Sequence, residues 1–324
     1  MIRYVVKRLL QMILVLLGMT FVVYMLLSIA PGDAAMVRLS ADATPEEVEA
    51  YREELGLNDP VLVRYGRYMY NLLLKGDMGS SYVSEKSVSE QLMDKFPVTA
   101  EFALITTVVM LAIAIPLGVV SALYHRSWID NICSAVAVFG VSMPSFWFGM
   151  VLIIIFSVNL GWLPSVGFDS PKAMILPSIT LGFCNAATIM RTTRSSMLDT
   201  IRQDYIRTAR AKGQKEGVIV RHHMLRNALI HIITASAIQI GYLLGGTMVV
   251  EQVFTIPGMG RMMVESMKGR DYPMVLGGLL VISTCFCMMN LLSDILYAWV
   301  DPRVRAQYAG RRKSSGILSK IRRK

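Results

Sequence analysis

The chain is short of charge for its length. Only 17% of its 324 residues are charged, whereas 54% are apolar, and its mean hydropathy is +0.48. A typical soluble domain carries about 25% charged residues, so this composition argues against an ordinary soluble enzyme. The same figures exclude a disordered chain, a collagen-like fibre and a small disulfide scaffold.

Motifs of common catalytic and metal sites are also missing. The four cysteines lie inside apolar runs without a C-x-x-C spacing, which is typical of small buried side chains; they are Cys133, Cys184, Cys285 and Cys287. No G-x-x-x-x-G-K-[ST], H-E-x-x-H or G-x-S-x-G motif occurs. We therefore expect no metal site, cofactor, ATP site or enzymatic activity in this chain.

Long apolar runs, by contrast, are abundant. Six are near the roughly 20 residues that a membrane-spanning helix needs: Leu9–Ala30, Val98–Leu123, Ile132–Leu160, Ala173–Met190, Ala228–Val250 and Met274–Val300. The third is too long for a single span and is interrupted by Pro144. The sequence predicts an all-α integral membrane protein with residues 1–30 as a tail and first helix and 98–300 as the remaining transmembrane core.

Basic residues are unevenly distributed between these runs. If the N-terminus is cytoplasmic, the cytoplasmic segments hold 22 of the 33 lysines and arginines, as the positive-inside rule requires. We therefore expect both termini in the cytoplasm of a multi-pass protein. Residues 301–324 form a basic tail that frays or lies on the anionic inner leaflet.

The external segment at 31–97 is too long for a simple turn. Thr44 is a predicted N-cap, and Gly56 is placed to end the helix that it begins. A second helix is expected over Pro60–Leu74, ended by Gly76. The pattern predicts a small external cap of helices and loops without a core of its own.

The cytoplasmic segment at 191–227 is unusually large for a connection between two spans. One helical stripe is formed by Leu198, Ile201, Tyr205 and Ala209. Gly213 is placed to end that helix, and a second short segment follows, so the pattern predicts a helix–Gly–helix elbow. Two interpretations stay open: a positive loop on the inner leaflet, or a docking elbow for a soluble partner.

Ionisable residues are scarce inside the spans. Asp294 falls near the cytoplasmic interface, and Glu101 and Glu251 lie at the outer ends of the second and fifth helices. A self-sufficient secondary transporter would need paired intramembrane charges and internal repeats, and the sequence shows neither. The energy for any transport is therefore expected to come from elsewhere.

Residues 205–213, Tyr-Ile-Arg-Thr-Ala-Arg-Ala-Lys-Gly, resemble the cytoplasmic loop of inner-membrane permease subunits in ATP-binding-cassette importers for dipeptides, oligopeptides and nickel. They depart from the family's general Glu-Ala-Ala-x-x-x-Gly at Arg207 and Thr208 but match its peptide/nickel branch. Further motifs similar to that branch follow in order along nearly the whole chain, at 30–33, 55–60, 76–81, 191–198, 257–261, 270–273 and 301–303. The long external segment is similar to that of the first of the two paired permeases.

This resemblance implies the type I importer permease fold in the inner membrane. It implies a second homologous permease, two cytoplasmic ATPase subunits holding ATP and Mg, an extracytoplasmic substrate-binding protein and membrane lipid as partners, with no nucleic acid. The residues that it assigns to ATPase coupling are Asp204, Tyr205, Arg207, Thr208, Ala209, Arg210, Ala211, Lys212 and Gly213. Tyr205, Ala209 and Gly213 are expected to fit the ATPase groove.

Two further groups are weaker candidates. Helix packing or path lining is expected from Pro144, Gly241, Gly245 and Gly246, with packing inside one subunit as the alternative. An external gate or binding-protein contact is expected from Pro257, Gly258, Gly260 and Arg261.

Peptides are the favoured substrate under this resemblance. The main alternative within the family is an importer of nickel or a metal chelate. Four methionines cluster outside the membrane and could contact a metal: Met259, Met262, Met263 and Met267. Thioethers suit copper(I) better than nickel, and methionine is also an ordinary packing residue.

Overall fold

The computed structural model describes residues 2–29, 35, 39 and 43–300. The motifs at 30–33 and 301–303 and the predicted basic tail at 301–324 lie outside these residues. Within the described part of the chain the β structure is one isolated bridge between Ser80 and Ser87. The predicted all-α fold class is confirmed.

The helices follow one another with short connections. They are α1 (Ile2–Ile29), α2 (Pro45–Glu54), α3 (Val61–Tyr70), α4 (Val88–Leu123), α5 (Trp128–Ser142), α6 (Ser145–Leu152), α7 (Pro171–Ile201), α8 (Asp204–Ala211), α9 (Glu216–Val218), α10 (Arg226–Val253), α11 (Met259–Lys268) and α12 (Tyr272–Val300). Three π-helical turns continue α3, α6 and α9: Asn71–Lys75, Ile153–Asn159 and Ile219–Leu225.

Five described helical segments are long and apolar enough to cross a membrane: Arg8–Ile29, Val88–Leu123, Pro171–Ile201, Glu216–Val253 and Tyr272–Leu296. The third predicted run is a broken pair instead, because α5 and α6 meet at an angle of 104°. Pro144 lies at the break in an extended conformation and precedes α6 directly, since a proline cannot continue the hydrogen bonding of α5. The predicted count of six spans is reached when this bent pair is one of them.

The helices extend past the apolar runs at their polar ends. α4 begins at Val88, so it includes the last part of the segment expected to form the external cap. α7 continues beyond Met190 to Ile201, so much of the predicted cytoplasmic loop is helix. Hydropathy locates the part of a helix that lies in lipid, whereas backbone hydrogen bonding continues where polar side chains meet water.

α7 lies at the centre of the bundle and packs against α4, α5, α6 and α10. Two thirds of its apolar 18-residue stretch is buried inside the protein, whereas only 11% of the corresponding stretch of α1 is buried. Glycine allows the closest approach to α4, because a Cβ on Gly118 would lie 2.8 Å from the carbonyl oxygen of Met190. α1 lies at the edge and packs on α12.

The external helices begin and end where the sequence predicts. Thr44 and Glu47 form a reciprocal capping box at the start of α2, and these hydrogen bonds from Thr44 lower the pKa of Glu47. Gly56 and Gly76 follow the two helices with φ of 63° and 65°, the left-handed conformation that glycine adopts without strain.

Candidate functional site

The predicted elbow is formed by α8 and the turn after it. α8 is separated from α7 by a break at Arg202 and Gln203. At its other end Gly213 has φ of 75°, and its N–H donates to the carbonyl oxygen of Arg210 at 2.9 Å. The predicted helix end at Gly213 is confirmed.

The inner face of α8 is anchored in the protein core. Ile206 is fully buried and Ala209 is 7% exposed, and both belong to one apolar cluster with Ile219 and Met224. Because the chain breaks at Arg202, the predicted stripe is divided between two helices, and Tyr205 is 43% exposed. Ala209 therefore faces its own chain rather than the solvent.

The outer face of α8 is exposed and mainly basic. The exposed residues of the predicted coupling set are Asp204, Tyr205, Arg207, Thr208, Arg210, Ala211, Lys212 and Gly213. An ion pair of 2.6 Å between Arg210 Nε and Glu216 Oε1 spans the turn at Gly213. Arg207 and Lys212 extend into solvent and favour a partner surface that carries acidic groups.

Side-chain hydrogen bonds connect α8 to α10. Asn227 Nδ2 donates to the Tyr205 hydroxyl at 2.8 Å and to the His223 carbonyl oxygen at 2.8 Å. His223 Nε2 lies 2.9 Å from Gln214 Oε1. The segment Glu216–Val253 is long and apolar enough to form one span, so these hydrogen bonds join α8 to a candidate membrane-spanning helix.

A polar cluster around Asp130 connects the α4–α5 turn to α7. Asp130 is 4% exposed and accepts hydrogen bonds of 2.8 Å from both Nε and Nη2 of Arg194. Ser121 Oγ and the Arg126 N–H also donate to it, and His125 Nδ1 lies 3.2 Å away. Sequence reasoning missed this cluster, because Ser127-x-x-Asp130 indicates only a helix start and Arg194 is 64 residues away.

A second buried carboxylate organises the external turn before α11. Glu251 Oε1 accepts from Thr99 Oγ1 at 2.8 Å, and its Oε2 accepts from the Arg261 N–H at 2.9 Å. A Cβ on Gly258 would lie 2.5 Å from Glu251 Oε2, and one on Gly260 would lie 2.7 Å from Met248 Cα. These two predicted gate residues are therefore buried packing positions.

The other two predicted gate residues are more accessible. Pro257 is exposed. Arg261 is partly exposed and donates through Nε to Glu265 and through Nη1 to the Thr255 carbonyl oxygen. Only this edge of the turn is open to a partner.

Two motifs of the family resemblance meet near this turn. Ser81, from the motif at 76–81, donates through its hydroxyl to Asp271, from the motif at 270–273. Asp271 Oδ1 also accepts from the Tyr82 N–H at 3.0 Å, and burial raises the pKa of Tyr82. The external segment is thereby fixed to the start of α12.

The glycines predicted to line a path face in different directions. A Cβ on Gly241 would lie 3.0 Å from the Phe286 ring of α12, whereas one on Gly246 would lie 3.6 Å from Leu181 of α7. Gly245 has no neighbour within 4 Å. They do not form one seam inside the chain.

The described residues contain no group of three His, Cys, Asp or Glu side chains that could hold a metal ion. Met259 and Met263 of the methionine cluster are buried, and Met263 packs against Gly278 of α12. These two methionines therefore supply core packing, whereas Met267 is 42% exposed.

Two family models together match most of the chain. The family "Binding-protein-dependent transport system inner membrane component" matches residues 114–306. Its N-terminal counterpart, "Binding-prot-dependent transport system membrane comp, N-term", matches residues 1–103.

Individual relatives are similar over nearly their full length. The glutathione transport system permease protein GsiC of Salmonella paratyphi A is 41% identical over 305 residues, covering 94% of this chain and 99% of the relative. The dipeptide transport system permease protein DppB of Alkalihalophilus pseudofirmus is 38% identical over 333 residues, covering 94% and 100%.

A solved structure shares the fold. An inward-facing form of the MetNI methionine ABC transporter aligns with a TM-score of 0.55 and 20% identity, covering 65% of this chain and 96% of that one. The predicted importer permease fold is confirmed by this likeness together with the family match. The chain belongs to the family of inner membrane components of binding-protein-dependent transport systems.

Proposed function

We propose that this chain is one of two permease subunits of an ATP-driven importer and forms half of a translocation path for small peptides. The family match and the glutathione and dipeptide names of relatives that align over nearly their full length support this substrate class. The partners are a second permease, two ATPase subunits that bind ATP and Mg, and an extracytoplasmic binding protein. The termini lie in the cytoplasm of this multi-pass membrane protein.

The observation that carries the proposal is the division of α8 into two faces. Ile206 anchors its inner face in the core, while the outer face offers exposed side chains such as Arg207 and Lys212. The exposed face is mainly basic, so it favours a partner surface that carries acidic groups. We assign the outer face as the docking surface for an ATPase subunit.

Transmission follows from the contacts of α8. When ATP binding closes the ATPase pair, the docked helix is displaced. Tyr205 passes that displacement to α10 through its hydrogen bond with Asn227. α7 directly precedes α8 in the chain and is displaced with it. An ATPase with different affinities for two arrangements of the elbow thereby shifts the permease between inward and outward openings.

A charge-reversal experiment tests the docking surface. We expect Arg207→Glu combined with Lys212→Glu to prevent ATPase subunits from co-purifying with the tagged chain. The matched control is Lys172→Glu, an exposed lysine at the opposite end of α7. Undiminished co-purification of the ATPase with the double variant would assign α8 to the lipid surface instead.

Substrate class is tested by uptake into proteoliposomes that contain the assembled complex and its binding protein. We expect ATP-dependent accumulation of labelled dipeptide or glutathione, and none of nickel. Accumulation of nickel alone would favour the metal-chelate alternative.

A further inference from the structure

Helix α3 and its π-helical turn expose an apolar face. The side chains that are partly buried towards the protein are of mixed polarity, namely Val61, Arg64, Tyr65, Tyr68, Met69, Asn71 and Leu72. Most of their large exposed side chains are apolar or aromatic, namely Leu62, Val63, Tyr70, Leu73 and Leu74; Arg67 and Lys75 are the charged exceptions. A helix on the surface of a soluble protein carries polar and charged residues on its outward face, so this face is unlike one that is surrounded by water.

The one charged side chain on the outward side before Lys75 is neutralised locally. Arg67 Nη2 lies 2.6 Å from Asp59 Oδ2, so its charge is paired at the edge of the apolar face. Gly66 completes the outward side between Leu62 and Tyr70.

Contacts with α1 show how deep the helix lies. The Tyr65 hydroxyl donates to the carbonyl oxygen of Leu17 at 3.2 Å and lies 3.2 Å from Thr20 Oγ1. Its ring packs edge-on against Phe21 and Tyr24, with centroids 5.3 and 5.4 Å away. At 1.5 Å of rise per residue, Leu17 is about 18 Å from the Ile29 end of α1.

A second contact supports this depth. Met19 Sδ accepts a hydrogen bond of 3.0 Å from Ser283 Oγ, and Ser283 lies well inside the membrane-spanning segment Tyr272–Leu296. The level on α1 reached by Tyr65 is therefore within the membrane, and α3 lies beside the span rather than beyond its end.

We propose that the outward face of α3 and its π turn, formed by Leu62, Val63, Tyr70, Leu73 and Leu74, is embedded among the acyl chains of one membrane leaflet. The helix is then a half-inserted element that packs along α1 and widens the lipid-facing surface of the subunit. This assignment does not depend on the proposed substrate or on the ATPase.

Side-chain size favours lipid over a second protein helix as the occupant. Helix interfaces inside membranes are rich in small residues that allow close approach, whereas this face is built mainly from Leu and Val. The face packs on α1, and only 11% of the apolar stretch of α1 is buried by this chain. The neighbouring surface is therefore also apolar and open, as a lipid-facing surface is. Lys75 Nζ lies 5.7 Å from the Tyr70 ring centroid, an aromatic and basic pair that suits the membrane interface.

The test places a fluorophore at single cysteines in the assembled complex, after the four native cysteines are replaced by alanine. Positions Leu73 and Leu62 report on the proposed face. Leu26, exposed on α1, is the lipid reference, and Glu53, exposed on α2, is the water reference. Brominated phospholipid and aqueous iodide serve as quenchers.

We expect labels at positions 62 and 73 to be quenched by brominated lipid as strongly as the label at position 26 and several-fold more than that at position 53. Quenching by iodide equal to that at position 53 would place the face in water. Shielding from both quenchers would place it against a protein. Either result overturns the proposal.

A second measurement avoids substitutions altogether. Photolysis of a diazirine carried on a phospholipid acyl chain should label peptides from residues 61–75 of the native complex, and peptides from α2 should stay unlabelled. Labelling of neither peptide contradicts insertion of α3.

Discussion

At the scale of single residues, packing requires a glycine at position 260 but not at position 245. Both lie inside helices. A methyl group on Gly260 would meet the backbone of Met248 at 2.7 Å, whereas one on Gly245 meets nothing within 4 Å. The identical substitution should therefore have opposite effects at the two positions.

We expect Gly260→Ala to lower the free energy of unfolding by about 1–3 kcal/mol, since a backbone atom cannot move aside cheaply. Gly245→Ala should leave stability unchanged or raise it by about 0.5–1 kcal/mol through helix propensity. Thermal unfolding of the detergent-solubilised chain followed by circular dichroism measures both. Equal melting temperatures for the two variants would show that the turn around Glu251 is not tightly packed.

Asp130 provides a second prediction at this scale. Asp130→Asn removes the charge that Arg194 contacts at two atoms. Hydrogen bonds to charged groups contribute about 1.5–3 kcal/mol, and Arg194 is 28% exposed, so we expect a loss of about 2 kcal/mol in the free energy of unfolding.

Glu216→Gln is the matched control for Asp130→Asn. It breaks the Arg210–Glu216 pair, whose side chains are 43% and 61% exposed, and such surface pairs contribute about 0–1 kcal/mol. If the two variants unfold at the same temperature, the Asp130 cluster does not stabilise the bundle.

The sequence predicts the apolar spans and the ends of α2, α3 and α8 correctly at the scale of elements, because glycine and capping signals act within a few residues. It does not predict which side of helix α8 faces the protein core. A continuous helix from Leu198 to Ala209 would give one stripe, but the break at Arg202 rotates α8 so that Ile206 rather than Tyr205 is buried. No local signal marks that break.

The link between α8 and α10 should be mechanical as well as structural. Tyr205→Phe keeps the ring but removes the acceptor for Asn227, a loss of about 1 kcal/mol of interaction. We expect ATPase co-purification to persist while peptide uptake per ATP hydrolysed falls. In a variant that already carries Asn227→Ala, Tyr205→Phe should cause little further loss, because the hydrogen bond that it removes is then already absent. Strictly additive losses would indicate separate roles for the two residues.

In the whole molecule, polar contacts between residues far apart in the chain help to determine how the spans assemble. The sequence does not predict which residues make these contacts. Thr99 and Glu251 are 152 residues apart, and Ser81 and Asp271 are 190 apart. Hydropathy identifies the segments that enter the membrane, but it contains no information about which side chain of one span meets which of another. The central position of α7 and the peripheral position of α1 are likewise seen only in how the helices pack together.

The positions of charged residues in the bundle also indicate which energy source can drive transport. Among the described residues, the ion pairs within spans lie towards helix ends: Arg8 with Asp294 at 2.8 Å, and Arg194 with Asp130. A proton- or ion-coupled carrier needs ionisable groups in the bundle interior that bind and release the ion. This arrangement favours an external motor.

Peptide uptake by the reconstituted complex should therefore require ATP hydrolysis. We expect uptake to stop when ATP is replaced by a non-hydrolysable analogue. We expect it to continue when an ionophore collapses the proton and sodium gradients, because ATP hydrolysis rather than a coupled ion supplies the energy. Asp294→Asn should leave this dependence unchanged, since its pairing with Arg8 is a contact between helix ends. Uptake that proceeds without ATP and disappears with the gradient would identify the chain as a secondary transporter instead.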